Sequence, residues 1–275
     1  MSRSLFIIVF ACLLIPGASS GQEMHRSVEA KGEAILSEDS TPMEAKAIAL
    51  NNARQHAIEE AVGIVVTSRT DVYNFQVISD FVTAATKGLI VRENILENKC
   101  VTRDGQIMCA ARIEALVKPL SLERKGNLKI VNASVQRPDR DTAARAPVFQ
   151  SKDEIQIKVS VSEDSYVNLF SIDQYGAIAK IFPNDYATQK KISPGTQFVF
   201  PTNDERTAGL KIRVSTPKGI RKAVESVLVI ITKEKVTLMA DATIENPTIA
   251  DLMREVSELD QSNWADRTVG YEVKE

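Results

Sequence analysis

Cys100-Val-Thr-Arg-Asp-Gly-Gln-Ile-Met-Cys109 is the stretch on which the reading of this chain turns. Asp104-Gly105 is a favoured two-residue type I′ turn, so Arg103 opposes Gln106 as the first hydrogen-bonded pair of a hairpin. Counting outward, Thr102 faces Ile107, Val101 faces Met108 and Cys100 faces Cys109. Rungs alternate along an antiparallel ladder, which puts the cysteines on a non-hydrogen-bonded rung, where Cα atoms approach to about 4.5 Å. That is near the lower end of the range a disulfide spans. The spacing predicts a Cys100–Cys109 bond in an oxidising compartment; two reduced, buried thiols are the alternative. A redox-active pair is disfavoured, because the spacing is not Cys-x-x-Cys and no histidine lies nearby to lower a thiol pKa.

The N-terminus supplies such a compartment. Arg3 precedes an apolar run from Leu5 to Ile15, followed by Pro16, Gly17 and the small residues Ala18, Ser19 and Ser20. This is the layout of a secretory signal, and the run is well short of the roughly 20 residues a spanning helix needs. Cleavage after Ser20 is expected, with a cut before Gln22 as the second choice. Cys12 admits a lipoprotein reading, against which stand Phe10 at −2 and the truncated apolar run that such a cut would leave. The mature protein is therefore expected in the periplasm or outside the cell, with no stable membrane insertion once the signal is removed.

Upstream of the hairpin, Val28, Ala30, Gly32 and Ala34 alternate with polar residues, as in a half-buried strand. Thr41-Pro42-Met43-Glu44 reads as N-cap, Pro at N1 and Glu at N3 of a helix reaching Val62. Its packing stripe is expected at Ala47, Leu50, Arg54, Ala57, Ile58 and Ala61. A second helix is expected over 71–87, with Gly88 as its C′ stop. Strands over 89–102 and 106–117 complete an α+β unit spanning 24–120.

The rest reads as β. Strands are expected over 128–135, 155–161, 166–172, 177–182, 197–200, 210–214 and 224–232, with a closing strand carrying Trp264, Val269, Tyr271 and Val273. Gln136 to Gln150 reads as an exposed loop or the linker itself. Ile249, Leu252, Met253, Val256 and Leu259 form one stripe of a short helix, capped by Thr248 with Asp251 and covering the open face or edge of the sheets. The fold class is thus α+β: a strand-helix-helix-hairpin domain at 24–120, then a mostly antiparallel sandwich-like domain at 128–275 with a short C-terminal helix.

Two resemblances follow from these motifs. Val28-Glu-Ala-Lys-Gly-Glu-Ala34, the alanine-rich helix, Lys87-Gly-Leu-Ile90 and Cys109-Ala-Ala-Arg-Ile-Glu-Ala115 resemble the N-terminal domain of flagellar assembly protein T and of the LPP20 group of lipoproteins. That resemblance implies an envelope location and a scaffolding role, without catalytic residues. Tyr166-Val-Asn-Leu-Phe-Ser-Ile-Asp-Gln-Tyr-Gly176, Ile181-Phe-Pro-Asn184, Ile192-Ser-Pro-Gly195, Phe198-Val-Phe-Pro201, Gly219 and Trp264 resemble the DUF4384 family, a β-rich module without an assigned activity.

Chemistry is hard to find. The chain of 275 residues has two histidines, His25 and His56, and neither has a nucleophile partner by spacing. Metal-binding His and Cys spacings and phosphate-cradling glycine loops are absent. Glu163, Asp164, Asp173 and Asp185 lie at turns and offer a calcium site only if the fold gathers them. A formal charge of −2 and 5% aromatics give no reason to expect nucleic acid or a stacking platform. Asp173, Tyr175, Phe182 and Asn184 are a candidate recognition rim, with plain turn chemistry as the alternative. The expectation is a non-enzymatic adaptor without cofactor that binds another cell-envelope protein through a strand edge or the first-domain hairpin; a ligand- or glycan-binding module is the second reading and an enzyme the third.

Overall fold

The computed structural model describes residues 25–36, 41–64, 84–103, 105–120, 126–138, 147–173, 177–217, 220–240 and 247–275. The expected leader, most of the expected 71–87 helix, Asp104, Tyr175 and Gly176 lie outside these residues.

The first unit comprises β1 (Arg26–Ile35), α1 (Pro42–Val62), β2 (Gly88–Arg103) and β3 (Gln106–Pro119), with sheet order β1-β3-β2. The hairpin pairs Arg103 with Gln106 and, three rungs on, Cys100 with Cys109. The two cysteines are disulfide-bonded, with Cα atoms 3.9 Å apart. α1 begins as its sequence requires: the Thr41 hydroxyl accepts from the Glu44 N–H at 3.2 Å, and the Thr41 N–H donates to the Glu44 carboxylate at 2.5 Å. It ends at Gly63, whose φ of 79° is the left-handed conformation that glycine takes without penalty.

The stripe that α1 buries differs from the one expected. Ala45, Ala49, Ala53, Ala57 and Ala61, at a strict spacing of four, are buried together with Ile58, whereas Ala47, Leu50 and Arg54 are only half-buried. Alanines occur all round this helix, so apolar character could not orient it; what does is how closely the helix approaches β1. A Cβ on Gly32 would lie 2.2 Å from the Ala49 carbonyl oxygen and 2.3 Å from the Ala53 nitrogen, so the two backbones touch there. Gly88 is likewise a packing glycine rather than a helix stop. It opens β2, and a Cβ there would meet Ile58 Cγ2 at 2.7 Å.

The second unit contains β4 (Ile130–Gln136), β5 (Val148–Gln150), β6 (Glu154–Val161), β7 (Tyr166–Ile172), β8 (Ile178–Phe182), β9 (Phe198–Phe200), β10 (Ile212–Arg213), β11 (Lys222–Thr232) and β12 (Trp264–Lys274). α2 (Asn203–Thr207) and α3 (Ile249–Ser257) are its helices among the described residues. One sheet runs β10-β6-β4, with β9 also on β6; the other runs β5-β12-β11-β7-β8. Pairing is antiparallel except between β12 and β5. The stretch expected as a loop therefore ends in a strand, and Phe149 is buried against Tyr271 with ring centroids 5.5 Å apart. An isolated three-residue parallel strand leaves almost no alternation to read. α2, held by a Thr202–Glu205 cap, was not expected at all.

Alternate residues of the five-stranded sheet feed two cores. Val167, Leu169, Val227, Val229 and Ile231 pack toward Ile155, Ile157 and Val159 of the facing sheet. Phe170, Ile172, Leu228 and Ile230 belong instead to a cluster with Ile249, Leu252, Met253 and Val256 of α3, and this cluster continues into Ile58, Leu89 and the alanines of α1. So α3 covers the outer face of the sandwich and joins it to the first unit. Each large aliphatic buried there contributes roughly 1.5–3 kcal/mol.

Candidate interaction site

The three-stranded sheet has two edges, and they are treated differently. The Leu36 N–H donates to the Ile107 carbonyl at 2.8 Å, so Ile107, and with it every second residue back along β3, turns its backbone toward β1. The backbone groups of Glu29, Lys31 and Glu33 on β1 consequently point outward. Two of those carbonyls are taken: Asn52 Nδ2 donates to the Glu33 oxygen at 2.9 Å, and His56 Nδ1 lies 2.7 Å from the Lys31 oxygen, where it donates in its Nδ1–H form. Both capping side chains come from α1, one turn apart, and they reach because Gly32 lets the helix lie against the strand.

Among the described residues the β2 edge has no such cover. Cys109, Ala111, Ile113 and Ala115 bond toward β1, so their β2 partners Cys100, Asn98, Ile95 and Glu93 direct N–H and C=O groups away from the sheet. Among the described residues no backbone or side-chain group bonds to these outward groups. Register shifts between Ile90 and Arg92 and between Ile95 and Glu97 mark Val91 and Leu96 as bulge residues. Val91 is 43%, Ile95 45%, Leu96 41% and Val101 46% exposed, an unusual run of apolar side chains for an open edge. One side chain on this edge is firmly held: Glu93 accepts from Arg54 Nε at 2.8 Å and Nη2 at 2.6 Å, a two-point staple from α1.

Along the first half of β2 this edge borders a cavity of about 490 Å³, lined by Arg54, Ile58, Ala85, Gly88 to Glu93, Ala177 and the first turns of α3. The volume is in the ordinary range for a ligand pocket. Leu89 and Arg92 point to one face of the sheet, Ile90 and Glu93 to the other, yet all four line the cavity. A single cavity meets both faces of a strand only from its free edge. At the rim Arg254 pairs with Asp251 at 3.1 Å and Arg54 with Glu93, whereas exposed Arg92 has no partner among the described residues. Thr248 caps α3 here, its N–H and hydroxyl both donating to the Asp251 carboxylate, at 3.0 and 2.7 Å.

The residues singled out as a rim in the sandwich do not form one surface. Phe182 is 4% exposed and packs between Phe198 and Phe200, at centroid distances of 5.1 and 4.9 Å; it belongs to the core. Asn184 closes its own turn, accepting from the Tyr186 and Ala187 N–H groups and donating to the Ile181 carbonyl, each at 2.9 Å. Asp173 accepts from the Ala177 N–H at 2.9 Å, and Tyr175 is outside the described residues. Tyr186, missed by the sequence reading, is the side chain that stands out from this turn. It carries no signal beyond its place after Asn-Asp.

Several titratable groups of the sandwich are perturbed, Glu154 and Glu225 among them. Glu154 receives Lys211 at 2.9 Å and Arg206 at 3.0 Å, and their hydrogen bonds hold its pKa down to about 2. Burial pushes the Glu225 carboxyl up, with the Asp173 charge adding to it, although the Tyr271 hydroxyl donates to it at 2.6 Å. Among the described residues no group of three or more His, Cys, Asp or Glu could hold a metal ion, and no helix is long and apolar enough to cross a membrane. No curated protein matches the chain, and the likeness of residues 24–120 to flagellar and LPP20 domains draws no support from these comparisons. Residues 148–235, which carry β5 through β11, match the family model described as a domain of unknown function, DUF4384.

Proposed function

We propose that the chain is an exported adaptor of the cell envelope that works by protein–protein contact and performs no catalysis. The β2 edge is the contact. The observation that carries this reading is the contrast within one sheet: two outward carbonyls of β1 are capped, while among the described residues nothing bonds to the outward groups of β2, which lie beside four exposed apolar side chains. Strand edges of this kind accept a partner strand, main-chain bonds supplying affinity and side chains specificity. The reading includes cleavage after Ser20 and a periplasmic or secreted location, with which the Cys100–Cys109 disulfide agrees. The assembly role that the flagellar and LPP20 resemblance implies belongs to the same reading.

The test is co-precipitation from envelope extracts of the native host. Leu96→Lys with Val101→Lys places two charges on the edge and is expected to lose a partner that Glu29→Lys on β1 retains. A partner kept equally by both variants contradicts the proposal. The cavity favours a second reading, a module that binds a small ligand or glycan. A thermal-shift response to cell-wall fragments, abolished by filling the cavity, would support it.

A further inference from the structure

We infer that the cavity beside β2 seats an extended peptide that adds as a fourth strand to the sheet and presents a carboxylate to Arg92. The inference rests on the adaptor reading and names what the edge takes. Three observations converge on this occupant. The cavity is reached by both faces of β2, which places it along the strand's unpaired edge. Glu93, whose N–H and C=O point outward, is part of its lining and Ile95 lies just beyond; an extended backbone satisfies such groups at their own spacing and an acyl chain does not. The first turns of α3 complete the lining; Ile249 and Met253 are already buried in the core, and Ala250 is the partly exposed apolar residue that an incoming strand would meet there.

Charge selects the end of that peptide. Two of the three arginines in the lining are matched to Glu93 and Asp251, and Arg92 is left over on an exposed position. A carboxylate, from a peptide C-terminus or an acidic side chain, completes the set. The Arg54–Glu93 staple neutralises the acid that would otherwise repel it.

The test is selection of random heptapeptides with free C-termini on the purified oxidised protein, followed by binding and amide exchange with the enriched sequences. The inference predicts slowed exchange at the Glu93 and Ile95 amides and loss of binding on N-methylation of alternate peptide amides. For a C-terminal carboxylate, the peptide amide binds about tenfold more weakly; for an acidic side chain, its amide analogue does. Arg92→Gln erases that difference. Ala250→Trp fills the cavity from α3 and removes binding; Arg92→Gln, on an exposed residue, keeps the question open if the tryptophan variant fails to fold. Peptides that bind without protecting these amides overturn the inference, as does a selection that enriches none. In those cases a partner still caught at Val101 in cells leaves the adaptor reading standing, and its absence there ends both.

Discussion

β1 and β2 flank the same central strand, pair with it antiparallel and carry similar numbers of charges, yet one edge is partly capped and the other, among the described residues, is bare. The difference lies in a helix. α1 touches β1 at Gly32 and there places Asn52 and His56 over its carbonyls; on the β2 side it sends a long-range ion pair to Glu93 and leaves the main chain bare. A sheet edge is thus made safe by what packs beside it more than by the strand's own composition.

The comparison breaks most severely at Gly32. Gly32→Ala drives a methyl into the helix backbone, pushes α1 off the sheet and uncovers both capped carbonyls. A loss of at least about 3 kcal/mol in urea unfolding is expected, at or beyond the upper end of ordinary overpacking. Next comes the paired Cys100→Ser, Cys109→Ser variant. Opening so small a loop costs roughly 2–3 kcal/mol on the chain-entropy account, read as a lowered denaturation midpoint, and frays the far end of β2.

Asn52→Ala and His56→Ala sharpen the contrast. Each removes one hydrogen bond, at about 0.5–1.5 kcal/mol, and opens the β1 edge. The double variant should self-associate at high concentration by light scattering where the parent does not.

A control in the sandwich leaves both edges alone. Glu225 is raised in the folded state, so its contribution is favourable at pH below about 4.5 and is lost as pH rises through the folded value. Glu225→Gln, neutral throughout and still able to accept from Tyr271, should raise the melting midpoint at pH 7 by something on the order of 2 °C and by less at pH 4. Smallest of all, Leu96→Lys should change stability by no more than about 0.5 kcal/mol, since it alters an exposed position. Its effect is expected in binding alone.

Local chemistry made much of this fold readable. The Asp104-Gly105 turn dictated the hairpin register and hence the disulfide, and Thr41-Pro42-Met43-Glu44 located the first turn of α1. Features set by tertiary contact were not readable. The buried face of α1 depends on a glycine in another element, β5 is recruited by β12 from 124 residues away in sequence, and Phe182 is drawn into a cluster with two aromatics beyond the next turn. The sequence points to a strand edge or the first-domain hairpin as the contact but not to β2 itself, because bulges at Val91 and Leu96 break the period of two and the sequence cannot say which edge the helix will cover.

The most direct test places a photo-crosslinking amino acid in turn at Ile95 and Val101 on β2 and at Glu29 and Glu33 on β1, in cells of the native host. Adducts with one envelope protein from the β2 positions, and none from β1, are the expected result. Equal labelling from both edges, or labelling from β1 alone, contradicts the assignment of β2 as the edge that receives a partner.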